Sequence, residues 1–248
     1  MWLYRTGIDD EKPVILYDYQ PSRNGDHAVT FLKDFKGYVH SDGYSGYNKL
    51  SGITRCGYWA HLRRKFIEAI PQKKGTETLT NAEIGRDYCD QIFMFERDLK
   101  DLSPEERRIK RLELEKPVLE AFWGWLENLN VLKGSALGKA VTYALNQKKY
   151  MENYLLDGRC SISNNAAENA IRPFTVGRKN WLFADTPKGA SASAAVYSIV
   201  ETAKANRINV YTYLQYLLLY MPDTDWRNYP EELDQLMPWS KAIQAECK

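Results

Sequence analysis

A chain of 248 residues is long enough for one large domain or for a core carrying an inserted subdomain, and 44% hydrophobic against 27% charged residues is the balance of an ordinary globular protein. No apolar run approaches the roughly twenty residues that span a bilayer, and the opening MWLYRTG lacks a basic segment followed by an apolar one, so a membrane span and a signal peptide are excluded and a cytoplasmic protein is expected. A net charge of only +2 argues against a protein that coats nucleic acid over its whole surface.

In chain order, WLYR and VILYDY are β-rich runs separated by the turn-forming Gly7 to Pro13. Asp26 is placed to cap a helix through His27, Val29, Phe31, Leu32 and Phe35, which Gly37 ends. Tyr38 to Gly43 is a strand reaching a Gly-marked turn. Thr54 to Trp59 is another strand and runs into a helix bearing His61, Arg63, Arg64 and Lys65. From Asn81 to Leu156 the apolar spacing is helical nearly throughout. Ser103-Pro104-Glu105-Glu106 is a helix start, Pro117 should begin or kink a helix, and Ser135 caps one that ends near Gly158. Ser163-Asn164-Asn165 opens a helix with Glu168 and Arg172, and Trp181-Leu182-Phe183 reads as a short extended piece. Helices follow around Ser191 to Asn206 and Val210 to Met221. A tail with Trp226, Tyr229, Leu233, Leu236 and Trp239 is expected to dock through its aromatics.

This order is compatible with an α/β fold, a ribonuclease-H-like core interrupted by an all-helical insertion, with a helical C-terminal extension. The expected organisation is a first part of the core over 1–80, the insertion over 81–157, the rest of the core with the Glu-bearing helix over 158–221, and a tail over 222–248.

Basic residues are clustered. Arg55, Arg63, Arg64, Lys65, Lys73 and Lys74 face one acid, Glu68, and seven basic residues lie between Arg159 and Arg207. Such stretches suit a phosphate backbone, and equally suit a solvated face. The four cysteines, Cys56, Cys89, Cys160 and Cys247, are too scattered for a disulfide framework or paired C-x-x-C knuckles, so reduced structural thiols are expected.

Two acids stand out. Asp42 sits where a strand ends, a position that points into ligand crevices in α/β folds, while Asp-Gly is also a common turn pair. Glu168 follows Asn165 at capping-box spacing, and a helix start can also aim a carboxylate at a metal. Cys56 reads as a buried thiol. His61 reads as a helix-start residue or as a DNA contact, and a zinc site with this Cys/His pair would need two more ligands, with only His27 and His40 left as histidines. Trp181 and Phe183 could stack on frayed bases but suit the core of a short strand better, and Trp123 and Trp125 read as packing residues.

Taken together, HSDGYSGY, RCGYWAHLRRKF, SNNAAENAIRPFTVGRKNWLF and YSIVETAKANRINVYTYLQYLL resemble, in this order and over nearly the whole chain, the insertion sequence 66 family of bacterial DDE transposases. The resemblance implies a ribonuclease-H-like core whose three carboxylates bind two divalent ions, Mg²⁺ with Mn²⁺ possible. It places the second Asp on Asp42, within DGYSGY, and the Glu on Glu168, within NNAAEN. It matches Arg172, Arg178 and Lys179 to the RP and GRKN elements; with His61, Arg63 and Arg64 of the first basic stretch, these are the expected DNA-binding residues. It implies DNA at element ends and at a target as partner, a homo-oligomer on paired ends, and association with the nucleoid when bound. The family's first Asp lies on a strand before WLYR, so a truncated product is expected. Asp18, which ends VILYD, is the first candidate for a substitute, but its strand resembles the third core strand and not the first; Asp9 and Asp10 lie in a turn and are weaker candidates. A fragment that binds DNA without cutting, and another ribonuclease-H-like nuclease such as a resolvase, are the competing readings; GRKN-WLF and YSIVETAK speak against the resolvase.

Overall fold

Four short strands and nine α-helices follow one another in the described chain: β1 (Trp2–Arg5), β2 (Ile15–Asp18), α1 (Asp26–Phe31), β3 (Gly37–His40), β4 (Ile53–Cys56), α2 (Trp59–Ala69), α3 (Asn81–Asp98), α4 (Pro104–Glu127), α5 (Ala136–Met151), α6 (Asn165–Trp181), α7 (Pro187–Ala205), α8 (Val210–Tyr220) and α9 (Lys241–Glu246). This computed structural model describes residues 1–72, 78–181 and 184–248, without the side chains of 178–181. The result is a helix-rich mixed α/β chain. It forms two compact units, one of Met1–Arg23 with Asn165–Lys248, the other of Asn24–Asn164.

In the first unit β1 and β2 pair antiparallel, Trp2 opposite Asp18 and Arg5 opposite Ile15. The far edge of β2 is closed by a helix. Thr202 Oγ1 on α7 accepts from Ile15 N–H at 3.0 Å and donates to Ile15 O at 2.9 Å, and Ser198 Oγ accepts from Tyr17 N–H at 2.8 Å. Backbone groups at a sheet edge need partners, and here two hydroxyls supply them in place of a strand. Ile15 and Tyr17 bury their side chains with Ala170 and Ala194. The tail packs through Leu236, Ile243 and Cys247, which are buried, while Trp226 and Tyr229, two of the aromatics expected to dock it, stay exposed.

In the second unit β3 and β4 pair parallel, with His40 opposite Cys56. The described strands thus pair as two two-stranded sheets. The core of this unit joins Trp59, Leu62 and Phe66 of α2 to Cys89 and Ile92, Leu119, Phe122 and Trp123, and Ala140 and Ala144 of the three following helices. Trp123 is a packing residue, as its setting suggested, and Trp125 packs partly buried beside it. Ser103 and Glu106 form the expected capping box of α4, and Thr80 and Glu83 form another at α3.

Several local expectations are corrected. Helix α1 stops at Phe31, and Asp26 lies inside it with Gly25 as the cap. The Asp26 carboxylate instead takes Lys49 Nζ at 2.7 Å and Asn24 Nδ2 at 2.9 Å. Of the two expectations for Pro117, a helix start or a kink, the start is overturned, because α4 runs through it. The buried flank of Arg111, Glu115, Leu119 and Phe122 offsets the lost backbone bond. Strand β4 ends at Cys56 and Trp59 already belongs to α2, where its indole N–H reaches Met151 O at 3.1 Å. Trp181 closes α6 with a helical backbone and is not extended, while Leu182 and Phe183 lie outside the described residues.

Candidate functional site

Asp42 follows the end of β3 by two residues and is half-buried. Its Oδ1 accepts from Tyr44 N–H at 3.0 Å, so the turn-shaping role is realised. What holds the loop is Arg55, a buried residue of β4. Its Nε donates to Ser41 Oγ at 2.7 Å, its Nη1 to Asn48 Oδ1 at 2.6 Å, and its Nη2 to the Asp42 carbonyl at 2.6 Å. The guanidinium also lies over the Tyr150 ring, 4.2 Å from the centroid. These bonds go to the loop and leave the Asp42 carboxylate out, and among the described residues Asp42 forms no ion pair. The carboxylate's charge is felt nearby: burial first, then Asp42, pushes the Tyr143 phenol up. Arg55 is the residue of this neighbourhood that sequence reasoning counted only as a basic charge. Its place in β4, one position before Cys56, was the available signal.

Glu168 stands exposed in the first turn of α6, where a carboxylate is favoured by the helix N-terminus. It belongs to the other unit from Asp42. Arg172, one turn further on, is exposed. The side chains of Arg178, Lys179 and Trp181 lie outside the described residues.

The remaining basic candidates differ from one another. Arg63 is ion-paired with Asp90 of α3, which gives it a structural task between helices. Arg64 is exposed on the same helix. His61 Nε2 is 3.1 Å from Asn164 Nδ2 and its ring meets Tyr58 edge-on. Asp18 accepts from Gln20 Nε2 at 2.9 Å, and Asp10 accepts from Lys12 N–H at 2.9 Å in the turn.

A second group of side chains brings together Cys56 and His40, both weighed above for zinc, with Cys160 where the sequence had offered His61. His40, Cys56 and Cys160 bring one donor atom each within 4.8 Å of one another. Cys56 donates its S–H to the Cys160 sulfur at 3.8 Å. That hydrogen bond and burial push the Cys56 thiol up, and the same bond, with help from His40, brings Cys160 down to about 6 against its burial. All four cysteines are free and buried, as expected for Cys56.

Comparison with known proteins adds an independent finding. Residues 1–192 match the family described as "Transposase IS66 family", and residues 198–239 match "IS66 C-terminal element". The chain is 29% identical over 262 residues to the uncharacterized protein y4qI of Sinorhizobium fredii, covering 96% of this chain and 46% of that protein. It is 30% identical over 246 residues to the uncharacterized protein y4hP of the same organism, covering 92% and 44%. The chain therefore spans about half the length of the curated relatives it matches. No solved structure matches it.

Proposed function

The chain belongs to the IS66 family of transposases, and from that premise we propose that it forms part of a region that cuts DNA at the ends of a mobile element and joins it to a target, with Asp42 and Glu168 as metal-binding carboxylates. The observation that carries this reading is the Asp42 loop: a carboxylate at a strand end, on backbone clamped by the buried Arg55, with no cation of the described protein paired to it. A side chain fixed in this way has little ordering left to do when it takes a ligand. Glu168 supports the reading as an exposed carboxylate within the family match.

These donors are oxygens, which suit Mg²⁺ or Mn²⁺ better than a softer ion. Asp42 and Glu168 would hold the ions, and such a pair, when bound, would supply activation of the attacking oxygen and stabilisation of the leaving one. Arg64, Arg172, Arg178 and Lys179 are assigned to the DNA backbone, with His61 beside them. Arg63 contributes mainly through Asp90. The proposed architecture is a ribonuclease-H-like core with residues 81–157 as a helical insertion, 158–221 completing the core and 222–248 as a tail. Among the described residues no helix is long and apolar enough to cross a membrane. A homo-oligomer on paired ends is the proposed working form.

Mn²⁺ binding to the chain and nicking of element-end DNA test the reading. Loss of an outer-sphere partner alone costs roughly 10–100-fold in metal affinity, so Asp42→Asn and Glu168→Gln should each cost at least that much. Unchanged Mn²⁺ affinity in both variants overturns the assignment. The family chemistry uses three carboxylates and two are matched here, so the isolated chain should nick DNA weakly or not at all with Mg²⁺. Robust nicking abolished by Asp42→Asn would instead identify another acid, Asp18 first, as the third ligand.

A further inference from the structure

We propose that His40, Cys56 and Cys160 form a zinc site that fastens the ends of β3 and β4 to the chain segment preceding α6. This goes beyond the transposase reading and does not depend on it. The two proposed centres differ in chemistry: oxygen donors at Asp42 and Glu168, sulfur and imidazole donors here.

Three observations carry the proposal. First, backbone geometry builds the site. The parallel register sets His40 opposite Cys56, and Ser41 N–H continues the ladder to Cys56 O at 3.0 Å. Cys160 is fixed from both sides: its N–H donates to Asp157 O at 3.0 Å, and its carbonyl accepts from Arg111 Nη2 at 2.8 Å. Second, the spacing fits. Two thiolates bound at about 2.3 Å to a tetrahedral ion lie about 3.8 Å apart. The two sulfurs are 3.8 Å apart here. A disulfide would need them at about 2.0 Å. Third, the donors are shielded and accessible in the right proportion. Cys56 and Cys160 are 0% and 2% exposed, while His40 is half-buried and offers the way in.

Loading is a proton exchange and involves no redox partner. Two S–H bonds break, two Zn–S bonds form, and the two protons go to solvent. His40 Nε2 now accepts from Ser161 N–H at 3.1 Å. The neutral ring supplies one nitrogen lone pair to the ion as the third donor. Three protein ligands leave the fourth tetrahedral position to water. The set is too soft for Mg²⁺, which prefers oxygen throughout.

The full chain, purified without chelator in a phosphine reductant, is the material for the test. Elemental analysis should find close to one zinc per chain after desalting. Exchange with Co²⁺ should give a thiolate-to-cobalt charge-transfer band and the intense visible bands of a tetrahedral ion. Cys160→Ser and His40→Ala should lose the retained zinc, and Cys247→Ser and Asp42→Asn should keep it. Because Asp42→Asn removes a proposed Mg²⁺ ligand, its result separates failure of this site from failure of the carboxylate assignment. The wild-type chain decides the matter even if a cysteine variant misfolds. No retained zinc and no charge-transfer band in excess Co²⁺, with both thiols shown to be reduced by thiol titration, overturns the proposal. So does a native Cys56–Cys160 disulfide, or a band that survives Cys160→Ser.

Discussion

Glu115 on α4 is fully buried, and its Oε2 accepts from the Tyr154 hydroxyl at 2.5 Å. Nearby Arg111, also buried, gives its Nε and Nη2 to the two carboxylate oxygens of Glu96 at 2.6 and 2.7 Å. Its other donors go to the carbonyls of Tyr154 and Asp157 at 3.0 Å and of Cys160 at 2.8 Å. The arginine is therefore spent on Glu96 and on backbone. Burial first, then the charge of Glu96, raises Glu115 from 4.5 to about 8. The sign follows from linkage. A carboxyl whose folded value lies above its unfolded one holds its proton more tightly when folded, so its contribution is complete below 4.5 and is lost as pH rises through about 8. Urea unfolding across that window should show stability falling with pH, and Glu115→Gln, which stays neutral, should flatten the fall. A wild-type profile without this slope sinks the assignment. Arg111→Ala should cost roughly 3–5 kcal/mol at neutral pH, since it strands buried acceptors and a carboxylate.

At the scale of elements, α2 and α3 touch through Gly85. A Cβ there would stand 2.4 Å from Phe66 Cε1, and Phe66 is fully buried and has nowhere to turn. Gly85→Ala gains about 1 kcal/mol of helix propensity but overpacks the crossing at a cost of roughly 1–3 kcal/mol. The net effect should be destabilising, and Phe66→Leu should relieve it, which a double-mutant cycle in urea would read as coupling between the two sites. Additive effects would mean the helices simply move apart. The same scale shows what the sequence discloses. Strand and helix positions follow from alternation, caps and helical spacing, all local: the Ser103 box and the Ser135 cap stand where expected, although the helix after Ser135 ends at Met151 and not near Gly158. Two kinds of feature escape. One is a competing partner for a polar side chain, as when the carboxylate of Asp26 meets Lys49, 23 positions away, while Gly25 takes the cap position. The other is long-range meeting: Cys56 and Cys160 are 104 positions apart, and the β2 edge is closed by hydroxyls more than 180 positions away. Asp42 was legible as a strand-end acid, but the Arg55 clamp needs the β3–β4 pairing to exist first.

For the whole molecule, the buried clusters respect the division into units. The largest lies wholly within Asn24–Asn164, and the two smaller ones lie wholly within Met1–Arg23 and Asn165–Lys248. The second unit is also continuous in sequence, whereas the first must bring together two segments separated by the entire second unit. Closing a long unfolded loop costs conformational entropy that rises with the logarithm of its length, and a folded second unit removes much of that cost. The first unit should therefore melt first, because its clusters are small and α8 leaves Leu218 79% exposed. Calorimetry of the full chain should show two transitions. A fragment of residues 24–164 should fold and reproduce the upper one, and stripping the retained zinc with a chelator should lower that transition alone, since every residue of the proposed zinc site lies in this unit. A single transition in the full chain together with an unfolded 24–164 fragment would show instead that the two units share one cooperative core.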